Sequence, residues 1–277
     1  MEHLLGRVAS RIRGDGVPEW DEGERFGAQG EDAIYRILRE HFECVIRGAV
    51  IPHKDKYLEK DFLILHKGAC AVIEVKNWKG EIGQDLATGD FYQNKPNGVQ
   101  KRIKSPVGTT QQFLQCMKKF YRLKNTPVGA VIFADPDCKL SLPESMENIL
   151  LIPATRALQK LHTALRKAPK EDPPLSPHHV LRCARIYSEE REFCKALISD
   201  EFLPCFDENG AQVRLSVEYL RHIVIEHQPM RLRDKLSVTF VNGSRGVFYN
   251  HNASISLCCL DGSCRRMAIH KIQYILF

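Results

Sequence analysis

The 277-residue sequence specifies an α/β protein in two parts: a mixed β-sheet core flanked by helices, then a smaller C-terminal α+β, β-rich domain. Three observations carry that expectation. Val- and Ile-rich runs of strand length lie beside segments whose apolar residues recur at helical spacing. A stretch of prolines and charges, Ala168 to Pro174, opposes any packed element and reads as a linker. Beyond it the chain reads as strands and tight turns. The length suits one large domain or one domain with a small partner, and it allows a real core.

Residues 1–25 read as a lead-in, residues 26–170 as the first domain and residues 175–277 as the second. In the first domain, Ile34, Ile37, Leu38 and Phe42 place an apolar stripe on a helix. Strands are expected at Cys44 to Ile51, Lys60 to Leu65 and Ala69 to Asn77, the last two joined by the hairpin link His66-Lys67-Gly68. Gly80 to Gly98 reads as irregular. A second helix spans Thr109 to Lys124, with Phe113, Met117, Phe120 and Tyr121 at helical spacing. Strands at Pro127 to Phe133 and Ile149 to Ile152 and a helix over Thr155 to Lys167 complete the domain. Ser176-Pro177 resembles an N-cap with proline at the first helical position. Later strands are expected at Ser237 to Val241, Gly246 to Tyr249, Ser254 to Leu260 and Arg265 to Phe277. Asp261-Gly262 signals a tight hairpin in which both residues take positive φ.

Composition bounds the function. Hydrophobic residues at 43% and charged residues at 27% exclude a disordered or collagen-like chain. No apolar run reaches the ~18 residues a membrane span needs. The start, Met1 to Arg7, has no apolar leader, so a cytoplasmic setting and reduced thiols for the ten cysteines are expected. The net charge of +6 is only mildly basic, so the local distribution matters more.

The sharpest chemical feature is Ala71-Val72-Ile73-Glu74-Val75-Lys76-Asn77-Trp78-Lys79-Gly80. Side chains alternate along a strand, so Glu74 and Lys76 share one face of an otherwise apolar segment. Burying such a pair for stability alone is rarely profitable, which points to a functional cause. An antiparallel hairpin brings Asp61, on the preceding strand, beside Glu74. Two oxygen donors on neighbouring strands suit a hard cation such as Mg²⁺, and Lys76 can then orient an attacking water.

Asp61 followed by the Glu74-x-Lys76 pair resembles the metal-dependent PD-(D/E)xK nuclease signature. Gly27-Ala28-Gln29-Gly30-Glu31, Asp61-Phe62-Leu63-Ile64 and Ile73 to Gly80 together resemble NERD, the nuclease-related domain, over roughly residues 24 to 135. That resemblance implies a restriction-endonuclease-like sheet and a Mg²⁺-dependent nuclease acting on DNA, with Mn²⁺ as a substitute. It implies Asp61, Glu74 and the backbone carbonyl of Val75 as metal ligands, Lys76 serving the water, and Glu31 extending the acidic cluster. A glutamine after Ser105-Pro106, Gln111 or Gln112, would position the site. Two departures stand out: Phe62 where many relatives have His, and a longer proline-to-glutamine spacing. A role in genome defence or DNA processing follows from the resemblance alone.

The charge pattern fits a DNA partner independently. From Phe91 to Ala134 there is no Asp or Glu, yet there are eight basic residues, among them Lys101, Arg102, Lys104, Lys118 and Lys119. Placed cations suffice for phosphate contact without base readout. The plain reading is a solvated helix face. Trp78 is read as packing beneath the site, and Asp135-Pro136-Asp137 as a turn. Cys258, Cys259, Cys264, His251 and His270 lack finger or ribbon spacing, so zinc is not expected. A second hypothesis is a nucleic-acid- or partner-binding module with a weak or partner-dependent nuclease site, its partner held by the C-terminal domain.

Overall fold

The structure is a computed structural model that describes residues 22–276, apart from residues 86, 96, 189–192, 199–201, 217–219, 229–232, 241–243 and 252. Most of the expected lead-in therefore lies outside the described residues. Two compact units divide the chain. One holds residues 22–53 and Leu58–Val180; the other holds Lys54–Tyr57 and the chain from Leu181 on.

The first unit opens with helix α1, Glu22–His41. Strands β1 (Cys44–His53), β2 (Lys56–His66) and β3 (Ala69–Lys76) follow. β2 and β3 pair antiparallel through the His66-Lys67-Gly68 link, with Phe62 opposite Ile73 and Leu63 opposite Val72. Next come β4 (Gly80–Gln84), β5 (Phe91–Asn94) and β6 (Gln100–Ile103), then helix α2 (Pro106–Phe120) and β7 (Val128–Phe133). The unit ends with β8 (Cys138–Ser141), β9 (Ser145–Met146), β10 (Ile149–Pro153) and helix α3 (Ala157–Lys167).

The main sheet has six strands in the order β1-β2-β3-β7-β10-β9. It is mixed, because β3–β7 and β7–β10 run parallel while β2–β3 and β9–β10 run antiparallel. Alternation along β3 sorts its two faces. Ala71, Ile73 and Val75 join Ile34, Leu38 and Phe42 of α1 and Leu161 and Leu165 of α3 in one core layer. Cys70 and Val72 join Val107, Phe113, Leu114 and Met117 of α2 in the other. Glu74 continues the Cys70–Val72 series, so it faces the α2 side.

Several expectations need correction. Gly80 to Gly98 is not irregular: β4 and β5 form with β6 and β8 a second, four-stranded sheet in the order β6-β5-β4-β8. Its alternating Ile82, Phe91 and Gln93 are buried, a period-2 signal hidden by glycines and turn residues. Gly80 itself is required at the entry, with φ +86° and no room for a Cβ, which would meet Asn94 O at 2.1 Å. Ile37 and Phe120 leave the apolar stripes and are 36% and 46% exposed. Helix α2 starts three residues earlier than expected, because Ser105 Oγ accepts Val107 N–H at 3.3 Å and Pro106 occupies the first turn. The Ser176-Pro177 signal produces one 3₁₀ turn, Pro177–His179, without a side-chain cap.

The second unit contains β11 (Ala184–Ser188), β12 (Phe193–Ile198), β13 (Phe202–Phe206), β14 (Gln212–Ser216) and β15 (Leu220–Gln228). β16 (Arg233–Phe240), β17 (Arg245–Asn250), β18 (Ser254–Cys259), β19 (Cys264–Ala268) and β20 (Ile272–Leu276) follow. They form one sheet in the order β14-β13-β17-β16-β15-β20-β11-β12-β18-β19. Its core includes Leu203, Leu215, Ile223, Leu236, Ile255 and Ile275. The unit is β-rich as expected, and among its described residues there is no α-helix. The single strand expected over Arg265 to Phe277 is broken by a 3₁₀ turn at Ile269–Lys271. At the β18–β19 turn only Gly262 has positive φ, +89°. Asp261 instead accepts the Ser263 N–H at 2.9 Å through Oδ1, which makes the turn wider than the two-residue hairpin expected.

Candidate active site

Glu74 and Lys76 lie at the C-terminal end of β3, on the face that alternation assigns them. Lys76 Nζ donates to Glu74 Oε1 at 2.5 Å. The β2–β3 register ends at Phe62–Ile73, so Asp61 stands one step further, at the level of Glu74. There Asp61 Oδ2 accepts the Val75 N–H at 2.7 Å, which fixes its carboxylate on the neighbouring strand. The expected convergence of Asp61, Glu74 and Lys76 is therefore present.

A residue that sequence reasoning passed over completes the arrangement. Lys60 Nζ donates to Glu74 Oε2 at 2.8 Å and lies 3.4 Å from Thr109 Oγ1 in the first turns of α2. Lys60 is only 5% exposed. Both oxygens of Glu74 are thus held by ammonium groups. In sequence, Glu59-Lys60-Asp61 looks like any solvated charge run, so nothing marks its middle member as buried.

The electrostatics divide the two acids. Burial alone would raise Glu74, but Lys76 and Lys60 outweigh it and hold the carboxyl below its ordinary value. Asp61 goes the other way: burial, then the charges of Glu74 and Glu31, push it well above its ordinary value against Lys76 and the Val75 N–H. Burial would lower Lys76, yet Glu74, Asp61 and Glu31 hold it raised.

Glu31, on α1, is close enough to act on both Asp61 and Lys76. The helix reaches that position through Gly30, where a Cβ would lie 2.7 Å from the Asn77 Cβ. Among the described residues there is no cluster of three or more His, Cys, Asp or Glu side chains arranged to hold a metal. A cation here would take two side-chain donors, Asp61 and Glu74, with backbone and water oxygens for the rest. Burial first, and then the like charges of Glu74 and Glu31, raise Asp61, while both Glu74 oxygens already face ammonium groups, so a hard divalent ion at these donors would displace at least one of those contacts.

The glutamines behave differently from one another. Gln112 Nε2 meets His53 Nε2 on β1 at 3.3 Å, and Cys116 Sγ meets the same ring's Nδ1 at 3.2 Å. Among the described residues no hydrogen bond ties Gln111 to Asp61, Glu74 or Lys76. The basic residues spread over two elements. Lys101 and Arg102 sit on β6, Lys104 just before α2, and Lys118 and Lys119 in its last turn. Lys118 lies about 13 Å along the helix axis from Thr109. Arg102 is engaged by Asp90 at 2.5–2.6 Å, while Lys101, Lys104 and Lys119 are exposed. Trp78 packs on Phe133 at 5.9 Å between ring centres. Asp135 forms the expected turn, its Oδ1 accepting Asp137 N–H at 2.9 Å.

A half-buried acid pair and a lysine at the end of a mixed, helix-flanked sheet define a nuclease-like α/β unit. Residues 26–134 match the family model of the nuclease-related domain, NERD. The match closes at the end of β7 and leaves β8, β9, β10, α3 and the second unit outside it. No curated protein and no solved structure matches the chain.

Proposed function

We propose that the protein is a metal-dependent nuclease that hydrolyses DNA phosphodiester bonds at Asp61, Glu74 and Lys76. The observation that carries this reading is the meeting of Asp61 and Glu74 beside Lys76, inside a nuclease-related domain. Asp61, Glu74 and the Val75 carbonyl would hold Mg²⁺, or Mn²⁺ in its place. When bound, the ion supplies a more acidic water and positive charge for the developing phosphorane.

The chain's own groups do the rest. Lys76 takes its place beside the attacking water, pinned by Glu74 so that its ammonium points at the nucleophile rather than into solvent. The Val75 N–H fixes one Asp61 oxygen and leaves the other available. Glu31 keeps negative charge near the ion. Lys101, Lys104 and Lys119 offer phosphate contacts on the DNA backbone, without base readout. Cytoplasmic DNA processing or genome defence is the setting this chemistry suits.

The test is incubation of plasmid DNA with Mg²⁺, Mn²⁺ or EDTA. Cleavage that needs metal and falls ~10²–10⁴-fold in Lys76→Ala or Glu74→Ala supports the assignment. Metal-independent cleavage, or full activity in either variant, overturns it.

A second reading draws on a different observation, the double engagement of Glu74 by Lys76 and Lys60. With both oxygens occupied, the site would need a partner to release one of them. The protein would then be a nucleic-acid- or partner-binding module whose nuclease site is weak alone. DNA binding by wild type without cleavage, unchanged in Glu74→Ala, would select this reading.

A further inference from the structure

An open cavity of about 480 Å³ lies away from Asp61 and Glu74, between the end of β2 and helix α3. Its wall includes His66, Lys67, Gln159, His162, Arg166 and Lys170. Gln159, His162 and Arg166 fall three to four residues apart, so they share one stripe of α3. His66 is five residues along β2 from Asp61, about 17 Å of extended strand.

The wall carries three positive charges and two imidazoles, and among the described residues no acidic side chain lines it. The imidazoles are held in place by Phe42, which stacks on His162 at 4.6 Å and meets His66 edge-on at 5.4 Å. His66 Nδ1 is buried and has no hydrogen-bond partner. Its nearest carboxylate, Glu43, is 4.0 Å away and already accepts the Lys67 N–H at 2.9 Å. Lys67, exposed, takes φ +50° beside Gly68 at φ +76°, as the two-residue turn between β2 and β3 requires. Lys170 donates to Leu165 O at 2.8 Å, which holds its ammonium by the end of α3.

Concentrated positive charge with a guanidinium fork suits a dianion better than a monocarboxylate. The volume exceeds that of phosphate alone and falls within the range of small-molecule sites. We propose that this cavity binds a phosphomonoester, the phosphate against Lys67, Arg166 and Lys170 and the attached body along the His66–His162 wall. The phosphate could belong to a free nucleotide or to a phosphorylated DNA end. The inference does not depend on phosphodiester cleavage at Asp61 and Glu74.

Calorimetric titration of the full chain in EDTA tests it. One arm uses a deoxynucleoside 5′-monophosphate, a second a short oligonucleotide with and without a 5′-phosphate, and a third the free nucleoside. Saturable one-to-one binding that requires the phosphate is expected in the first or second arm, and which arm binds names the source. Arg166→Gln should weaken it by about tenfold. Arg156→Gln, on an exposed arginine that reaches Glu144 instead, should leave it unchanged. No binding in either phosphate arm, equal binding of the nucleoside, or equal loss in both arginine variants would overturn the proposal. Circular dichroism of each variant separates lost binding from lost fold.

Discussion

Removing the Lys60 ammonium should destabilise the first unit by about 2 kcal/mol. Lys60→Met keeps most of the bulk of the stem and deletes the 2.8 Å bond to Glu74 Oε2 and the 3.4 Å contact with Thr109. A hydrogen bond to a charged group contributes ~1.5–3 kcal/mol, and the longer contact adds little. Stripping a buried ion of its only partner would cost ~3–5 kcal/mol, but Lys76 remains on Oε1, so that range is a ceiling here. With ~2–4 °C of melting temperature per kcal/mol in a unit of this size, the midpoint should fall by roughly 4–8 °C. Fluorescence of Trp78 in a Trp20→Phe background follows the unit that holds the site, because the chain has two tryptophans. Urea unfolding of wild type, Lys60→Met, Glu74→Gln and the double variant then isolates the pair. A loss below ~0.5 kcal/mol, or no coupling between the two changes, would refute the claim that Lys60 is bound to Glu74 as a charge.

Asp61→Asn should abolish cleavage while stabilising the fold, since the amide keeps an acceptor for the Val75 N–H and removes a carboxylate held raised by burial, Glu74 and Glu31; a lower denaturation midpoint in the variant would contradict this. Its pH signature has a definite sign. A raised acid contributes stability that is full below its unfolded value of ~3.9 and is lost as pH rises through the folded value, so the advantage of Asp61→Asn should appear only as pH climbs through that window. Glu74 is lowered, so its contribution is present above its unfolded value of ~4.3 and lost as pH falls through the folded value; the deficit of Glu74→Gln should shrink in acid. Gly129→Ala on β7 should cost ~1–3 kcal/mol by urea unfolding, because its Cβ would lie 2.4 Å from Ile149 Cδ1 and 2.8 Å from Leu114 Cδ1.

The heart of the site was readable because strand geometry leaves little freedom. Once Ala71 to Lys76 is a strand, Glu74 and Lys76 must share a face, and a short hairpin must return Asp61 to the same level. Lys60 was unreadable for the opposite reason: its burial depends on α2 arriving with Thr109, a contact across 49 positions of sequence. The second sheet was missed because its strands are four or five residues long and carry Gly, Gln and Asn, so little apolar periodicity survives. In the second unit the strands over Ala184 to Gln228 escaped although Phe202–Phe206 and Gln212–Ser216 alternate in burial, because each of these runs is only five residues long and Pro204 interrupts one of them. Those from Ser237 on carried it in residues such as Val238, Ile255 and Leu257, all buried.

The contact between Gly30 and Asn77 leaves α1 no clearance against the end of β3. Even one methyl group at position 30 would lever the helix outward and carry Glu31 away from Asp61 and Lys76, though none of those three had changed. The placement of Glu31 beside Asp61 and Lys76 therefore hangs on a neighbour with no side chain, and the charge balance of that cluster becomes sensitive to a spot that has no chemistry of its own.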